Sequence, residues 1–153
     1  VNNKYSLEFI KQNILARNFI MEDNIIDYIS VLFKLGLFDE AYREMIKLNK
    51  SYKKYFYLGL YNLEIVKDYT EAKECFESSY KLNDNFIEAL NNLGVCYFYL
   101  NNKIKAKECF EKAHIRNKEY IDVKNNLENF NVNDFSLKIT KRMLRKVLTR
   151  YEN

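Results

Sequence analysis

Cysteine, histidine and carboxylate side chains are the groups best able to do chemistry, and in this 153-residue chain they do not converge. Cys75, Cys96 and Cys109 contain no CxxC pair, and an odd count argues against a complete disulfide framework. They read as small buried hydrophobes in a reducing compartment. The single histidine, His114, has no second histidine or cysteine at ligand spacing. Glu71 and Glu74, like Glu108 and Glu111, are three residues apart, the spacing of a solvated helix face. Gly36, Gly59 and Gly94 are too far apart to build a phosphate loop. The expectation is a chain with no catalytic residue, no metal and no cofactor, and therefore not an enzyme.

With no proline and three glycines, the elements that position these residues are expected to be helices joined by short polar turns. The decisive pattern is an internal repeat. Ala72-Lys73-Glu74-Cys75-Phe76-Glu77 returns as Ala106-Lys107-Glu108-Cys109-Phe110-Glu111, an offset of 34 residues. The same offset carries Asn91-Asn92-Leu93 to Asn125-Asn126-Leu127, and eleven of the 22 positions from Ala72 to Leu93 are identical. The residues from Ile87 to Tyr120 include Leu93, Gly94, Tyr97, Ala106, Phe110 and Ala113. This resembles the tetratricopeptide pattern W-x2-L-G-x2-Y followed by A-x3-F-x2-A, with Leu90 in place of tryptophan.

The resemblance implies an all-α fold, a right-handed superhelical stack of antiparallel helix hairpins, read as one domain over 1–153. Residues 1–21 would form an N-terminal helix capped by Ser6. Repeats would span 22–52, 53–86 and 87–120, and 121–153 would hold a partial repeat and a basic capping helix from about Phe135 to Tyr151. The unit before Ile87 departs from the pattern, because Gly59 falls one residue early and Leu60 stands in the small-residue place. The unit before that is short, with 31 residues from Ala41 to Ala72.

By the same resemblance, the first helix of each hairpin lines a concave groove. The groove residues would be Tyr57, Tyr61, Glu88, Asn91, Asn92, Val95, Phe98, Tyr99, Asn125 and Asn126, with Ile26, Ser30, Phe33, Lys54, Leu58, Ile65 and Asp122 flanking them. Asparagine can hydrogen-bond an extended peptide backbone, and tyrosine offers contact area at low entropic cost. Several of the aromatics can equally be packed between hairpins. A groove role for Tyr57 and Asn92 implies that truncating either would weaken a partner without unfolding the domain.

The family's chaperone-tail binders hold two carboxylates with cations and asparagines. The corresponding places here are Ile26, Ser30, Leu58, Glu88 and Asn92, or one unit later Tyr57, Tyr61, Asn92, Asp122 and Asn126. A carboxylate clamp needs cations, so none is expected. The expected function is a cytoplasmic, non-catalytic scaffold that takes a peptide or helix of another protein. The alternative is a repeat appendage of a larger enzyme, since tails of this composition follow bacterial glycosyltransferase domains and the chain opens on Val1.

Charge and hydropathy bear on other partners. The net charge is +4, and Val132 to Asn153 carries all of it: Lys138, Lys141, Arg142, Arg145, Lys146 and Arg150 against Asp134 and Glu152. Aromatics do not alternate with these cations, so nucleic acid is not the expected partner. No apolar run is long enough to span a membrane. Stacks with apolar ends can pair end to end, which leaves a homodimer open.

Overall fold

A computed structural model of the chain describes residue 12 and residues 22–132 and 136–141. The described residues contain seven α-helices and no strand. The expected N-terminal helix lies outside them. The chain divides into two compact units, one of them Ser51–Lys141; of the other, residues 22–50 are described here.

Residues 22–50 form one hairpin, α1 (Glu22–Lys34) and α2 (Phe38–Lys47). Gly36 makes the turn with φ at 74°, a conformation that costs glycine nothing. Ala41 and Met45 are fully buried on α2, and Phe33 meets Phe38 edge to face at 5.8 Å.

Ser51–Lys141 contains α3 (Tyr52–Tyr61), α4 (Tyr69–Leu82), α5 (Ile87–Tyr99), α6 (Lys103–Arg116) and α7 (Ile121–Glu128). Short polar residues cap α3, α4 and α6. Ser51 accepts from the Lys54 amide, Asp68 from those of Thr70 and Glu71, and Asn102 from that of Lys105. Each hairpin turn has a left-handed residue five positions before the small alanine of the second helix. These are Gly36 before Ala41, Lys67 before Ala72 and Asn101 before Ala106. The turns between hairpins repeat as well: Asn83 Oδ1 accepts from the Asn85 amide, and Asn117 Oδ1 accepts from that of Glu119.

Close approach inside the α3–α4 and α5–α6 hairpins is set by a glycine facing a phenylalanine. A Cβ on Gly94 would lie 2.6 Å from the Phe110 ring, and one on Gly59 would lie 2.7 Å from the Phe76 ring. Phe110 also meets Phe130 edge to face at 6.1 Å, and Phe76 meets Phe56 at 5.8 Å. Phe56, Phe76 and Phe110 are fully buried, each worth roughly 1.5–3 kcal/mol of apolar burial.

This pairing corrects the sequence reading of Gly59. Gly59 itself, not Leu60, faces the phenylalanine, and one extra residue separates it from Ala72. The helix absorbs that residue by widening into a π-helix over Asn62–Val66, directly after α3. Leu60 and Leu63 then remain buried, and α4 keeps its phase with α6.

A second correction concerns the end of the chain. The apolar spacing after Phe135 suggested a helix, yet Ser136–Lys141 is not helical. Its backbone is bonded to side chains of α5 and α7 instead, and such tertiary bonds override local helix propensity. The remainder of that expected helix lies outside the described residues.

Candidate peptide-binding site

The most densely bonded polar cluster recorded among the described residues lies where α5 and α7 meet residues 136–141. Asn91 and Asn92 project from the second turn of α5, and Asn126 from α7; all three are fully buried. Buried amides must find partners, and here those partners are main-chain groups of residues 138 and 140 together with neighbouring side chains.

Asn126 and Asn92 stand one repeat apart, and each pairs with both main-chain groups of one residue. Asn126 Oδ1 accepts from the Lys138 amide at 2.6 Å, and its Nδ2 donates to the Lys138 carbonyl at 3.0 Å. Asn92 Oδ1 accepts from the Thr140 amide at 2.7 Å, and its Nδ2 donates to the Thr140 carbonyl at 3.2 Å. A carboxamide presents the same donor and acceptor pair as a neighbouring strand. Two such groups therefore read alternate residues along one edge of an extended segment.

Asn91 ties the two readers together. Its Nδ2 donates to the Lys138 carbonyl at 2.9 Å and to Thr140 Oγ1 at 3.0 Å, and its Oδ1 accepts from Asn126 Nδ2 at 2.9 Å. Thr140 Oγ1 in turn donates to Asp122 Oδ2 at 2.9 Å. Thr140 is fully buried and Leu137 nearly so, whereas the Lys138 side chain is exposed. Lys141 forms an ion pair with Glu64, which the π-helix carries.

Of the residues named from sequence, the structure brings Asn91, Asn92 and Asn126 together. Asp122, one of the flanking residues, joins them. Asn125 lies one position before Asn126, half-buried, and its carbonyl accepts from Asn129. Glu88 is half-exposed in the first turn of α5, and Tyr61 half-buried at the end of α3.

The apolar candidates sit elsewhere. Val95 and Tyr57 are fully buried, with the Tyr57 ring against Phe56 at 5.7 Å. Truncating Tyr57 would therefore open a core cavity, contrary to the sequence expectation. Phe98 packs edge to face on Phe130 at 5.8 Å, and Tyr99 stacks on Tyr69 at 4.7 Å. Ile26, Ser30 and Phe33 are buried on α1, where Ser30 Oγ donates to the Ile26 carbonyl.

Glu64, Thr140 and Lys141 were not singled out as site residues from sequence. Only the alternation of Leu137 and Ile139 with Ser136, Lys138 and Thr140 could have suggested an extended segment, and that signal is short.

No group of three metal-ligating side chains is present among the described residues. The thiols are poor nucleophiles: burial raises Cys75 to about 11 and Cys109 to about 12, and pushes Cys96 up as well. Tyr97 is raised by burial and by its hydrogen bond to Glu77, at 2.7 Å. A cavity of about 280 Å³ lies between α4, α5 and α6, bordered by Tyr80, Leu90, Tyr97 and Cys109. No described helix is long and apolar enough to cross a membrane.

Hairpins with a repeating glycine–phenylalanine contact, and asparagines recurring one repeat apart on α5 and α7, define a helical-repeat protein. Residues 87–120 match the family model of the tetratricopeptide repeat. Those residues therefore form a tetratricopeptide repeat, and the fold class is that of an α-solenoid of helix hairpins. Among solved structures the chain is similar to one titled "Crystal structure of MamA", with a TM-score of 0.64 and 18% identity, covering 95% of this chain and 86% of that one. A second, "Crystal structure of MamA protein", gives a TM-score of 0.62 at 17% identity, covering 94% of this chain and 78% of that one. A search of curated proteins found no match. Tetratricopeptide repeats mediate protein–protein interaction, so the general class is an interaction scaffold.

Proposed function

We propose that the chain binds an extended peptide segment of a partner protein on the α5–α7 face, and does so without catalysis. One observation carries this reading. Two asparagines a repeat apart each hold the amide and carbonyl of one residue in Ser136–Lys141. Main-chain bonds give affinity for any extended segment, while side-chain pockets choose among sequences. The chain's own segment is the resident occupant, so a partner segment must displace it. Displacement is plausible in energy because the resident is held by a handful of hydrogen bonds, each worth about 0.5–1.5 kcal/mol net.

The test uses the full chain with Lys138→Pro and Thr140→Pro, which removes both amides that the asparagines accept from. A fluorescent octapeptide copying residues 135–142 should bind this opened chain more tightly than the unaltered one. Adding Asn92→Ala should weaken that binding by about tenfold or more. An opened chain with native helix content that takes up no peptide would end the proposal.

A further inference from the structure

We propose that this face selects its partner by an unphosphorylated serine or threonine, set three residues after a buried apolar side chain and just before a cation. The inference rests on the peptide-binding reading above and adds the chemistry of the occupant.

The polarity of the cluster is fixed by the main chain. A backbone amide can only donate, so the Lys138 N–H turns Asn126 Oδ1 toward itself and leaves Asn126 Nδ2 facing Asn91. Asn91 must then present Oδ1 to Asn126, and both hydrogens of its Nδ2 go to the Lys138 carbonyl and to Thr140 Oγ1. With Asn91 donating, Thr140 Oγ1 accepts on one side; with the Asp122 carboxylate opposite, it donates on the other. A group that both donates and accepts is required, and a hydroxyl meets that need. Valine has the same shape and can do neither. A phosphate would set negative charge against Asp122 in a site where Thr140 is wholly enclosed.

The neighbouring positions follow from the same geometry. Leu137 is 5% exposed, so an apolar residue is wanted three places before the hydroxyl. Ile139 is half-exposed, so the position just before the hydroxyl is tolerant. Lys141 meets Glu64, so a cation is favoured immediately after.

The experiment compares octapeptides on the opened Lys138→Pro/Thr140→Pro chain by fluorescence anisotropy. The parent peptide copies residues 135–142; variants replace its threonine by serine, valine or phosphothreonine, or its leucine by alanine. Serine should bind nearest to the parent. Valine should bind roughly 10- to 150-fold more weakly, the range for losing a hydrogen bond to a charged group. Phosphothreonine should bind more weakly still. Adding Asp122→Ala to the chain should bring the threonine and valine peptides toward equal affinity. Equal binding of those two peptides to the chain with Asp122 intact, or tighter binding of the phosphopeptide, overturns the selection rule while the peptide-binding reading stands. Failure of every peptide to bind overturns both.

Discussion

Replacing Asn126 by alanine removes the carboxamide that holds Lys138 and leaves α7 intact. Two bonds to the main chain disappear, at 2.6 and 3.0 Å, and Asn91 loses the partner of its Oδ1 at 2.9 Å. At about 0.5–1.5 kcal/mol each, the two main-chain bonds amount to about 1–3 kcal/mol of attachment. Opening of residues 136–141 should therefore become about 5- to 150-fold more frequent. Native-state hydrogen exchange reads this directly, because the Lys138 and Thr140 amides are held by side chains rather than by a helix. Both should exchange faster by that factor. The Ala106 amide, bonded to the Asn102 carbonyl at 3.0 Å within the α6 cap, should not change. Unchanged exchange at Lys138 would refute the reasoning, because the carboxamide would then not be what retains the segment.

Other perturbations test the frame around the site. Gly94→Ala places a Cβ 2.6 Å from the Phe110 ring; overpacking of about 1–3 kcal/mol should exceed the ~1 kcal/mol gained in helix propensity, and urea unfolding should shift to lower concentration. Ala106→Leu, at a fully buried position, should cost about 1–3 kcal/mol, whereas Lys107→Leu on the exposed face should lie within about 0.5 kcal/mol of the parent. Equal effects at those two positions would mean that the buried face of α6 is misassigned. Folding raises Cys75 from 9.0 to about 11, so its contribution is fully present below pH 9 and is lost as pH rises through 11. Replacing Cys75 by alanine should therefore flatten the fall of the thermal midpoint across that window. An unaltered slope would exclude the thiol as its source.

The hairpins were legible because half the residues from Ala72 to Leu93 recur at one offset, and the glycine, alanine and phenylalanine positions follow from close helix approach. Asn91, Asn92 and Asn126 could be placed on first helices by the same offset. What they hold could not be read, because residues 135–151 carry helix-like apolar spacing and the competing bonds come from residues distant in sequence. Gly59 misled for a related reason. A one-residue excess looks like broken packing in a linear pattern, since the pattern has no way to express a wider helical turn. The aromatics at Tyr57, Phe98 and Tyr99 were ambiguous between surface and interior. Ring contacts with Phe56, Phe130 and Tyr69 decide their surroundings.

The widened turn at Asn62–Val66 has a consequence for how such an array tolerates change in its gene. In most helices an inserted codon rotates every later side chain by about 100°, so the whole downstream face is spoiled. Here the surplus residue is taken up before Lys67, and Ala72, Cys75 and Phe76 keep the phase of Ala106, Cys109 and Phe110. The insertion is thereby confined to one turn, and that turn delivers Glu64 to Lys141. A length error that would disable an ordinary helix has become a local adjustment, with an acidic group standing where the added residue was accommodated.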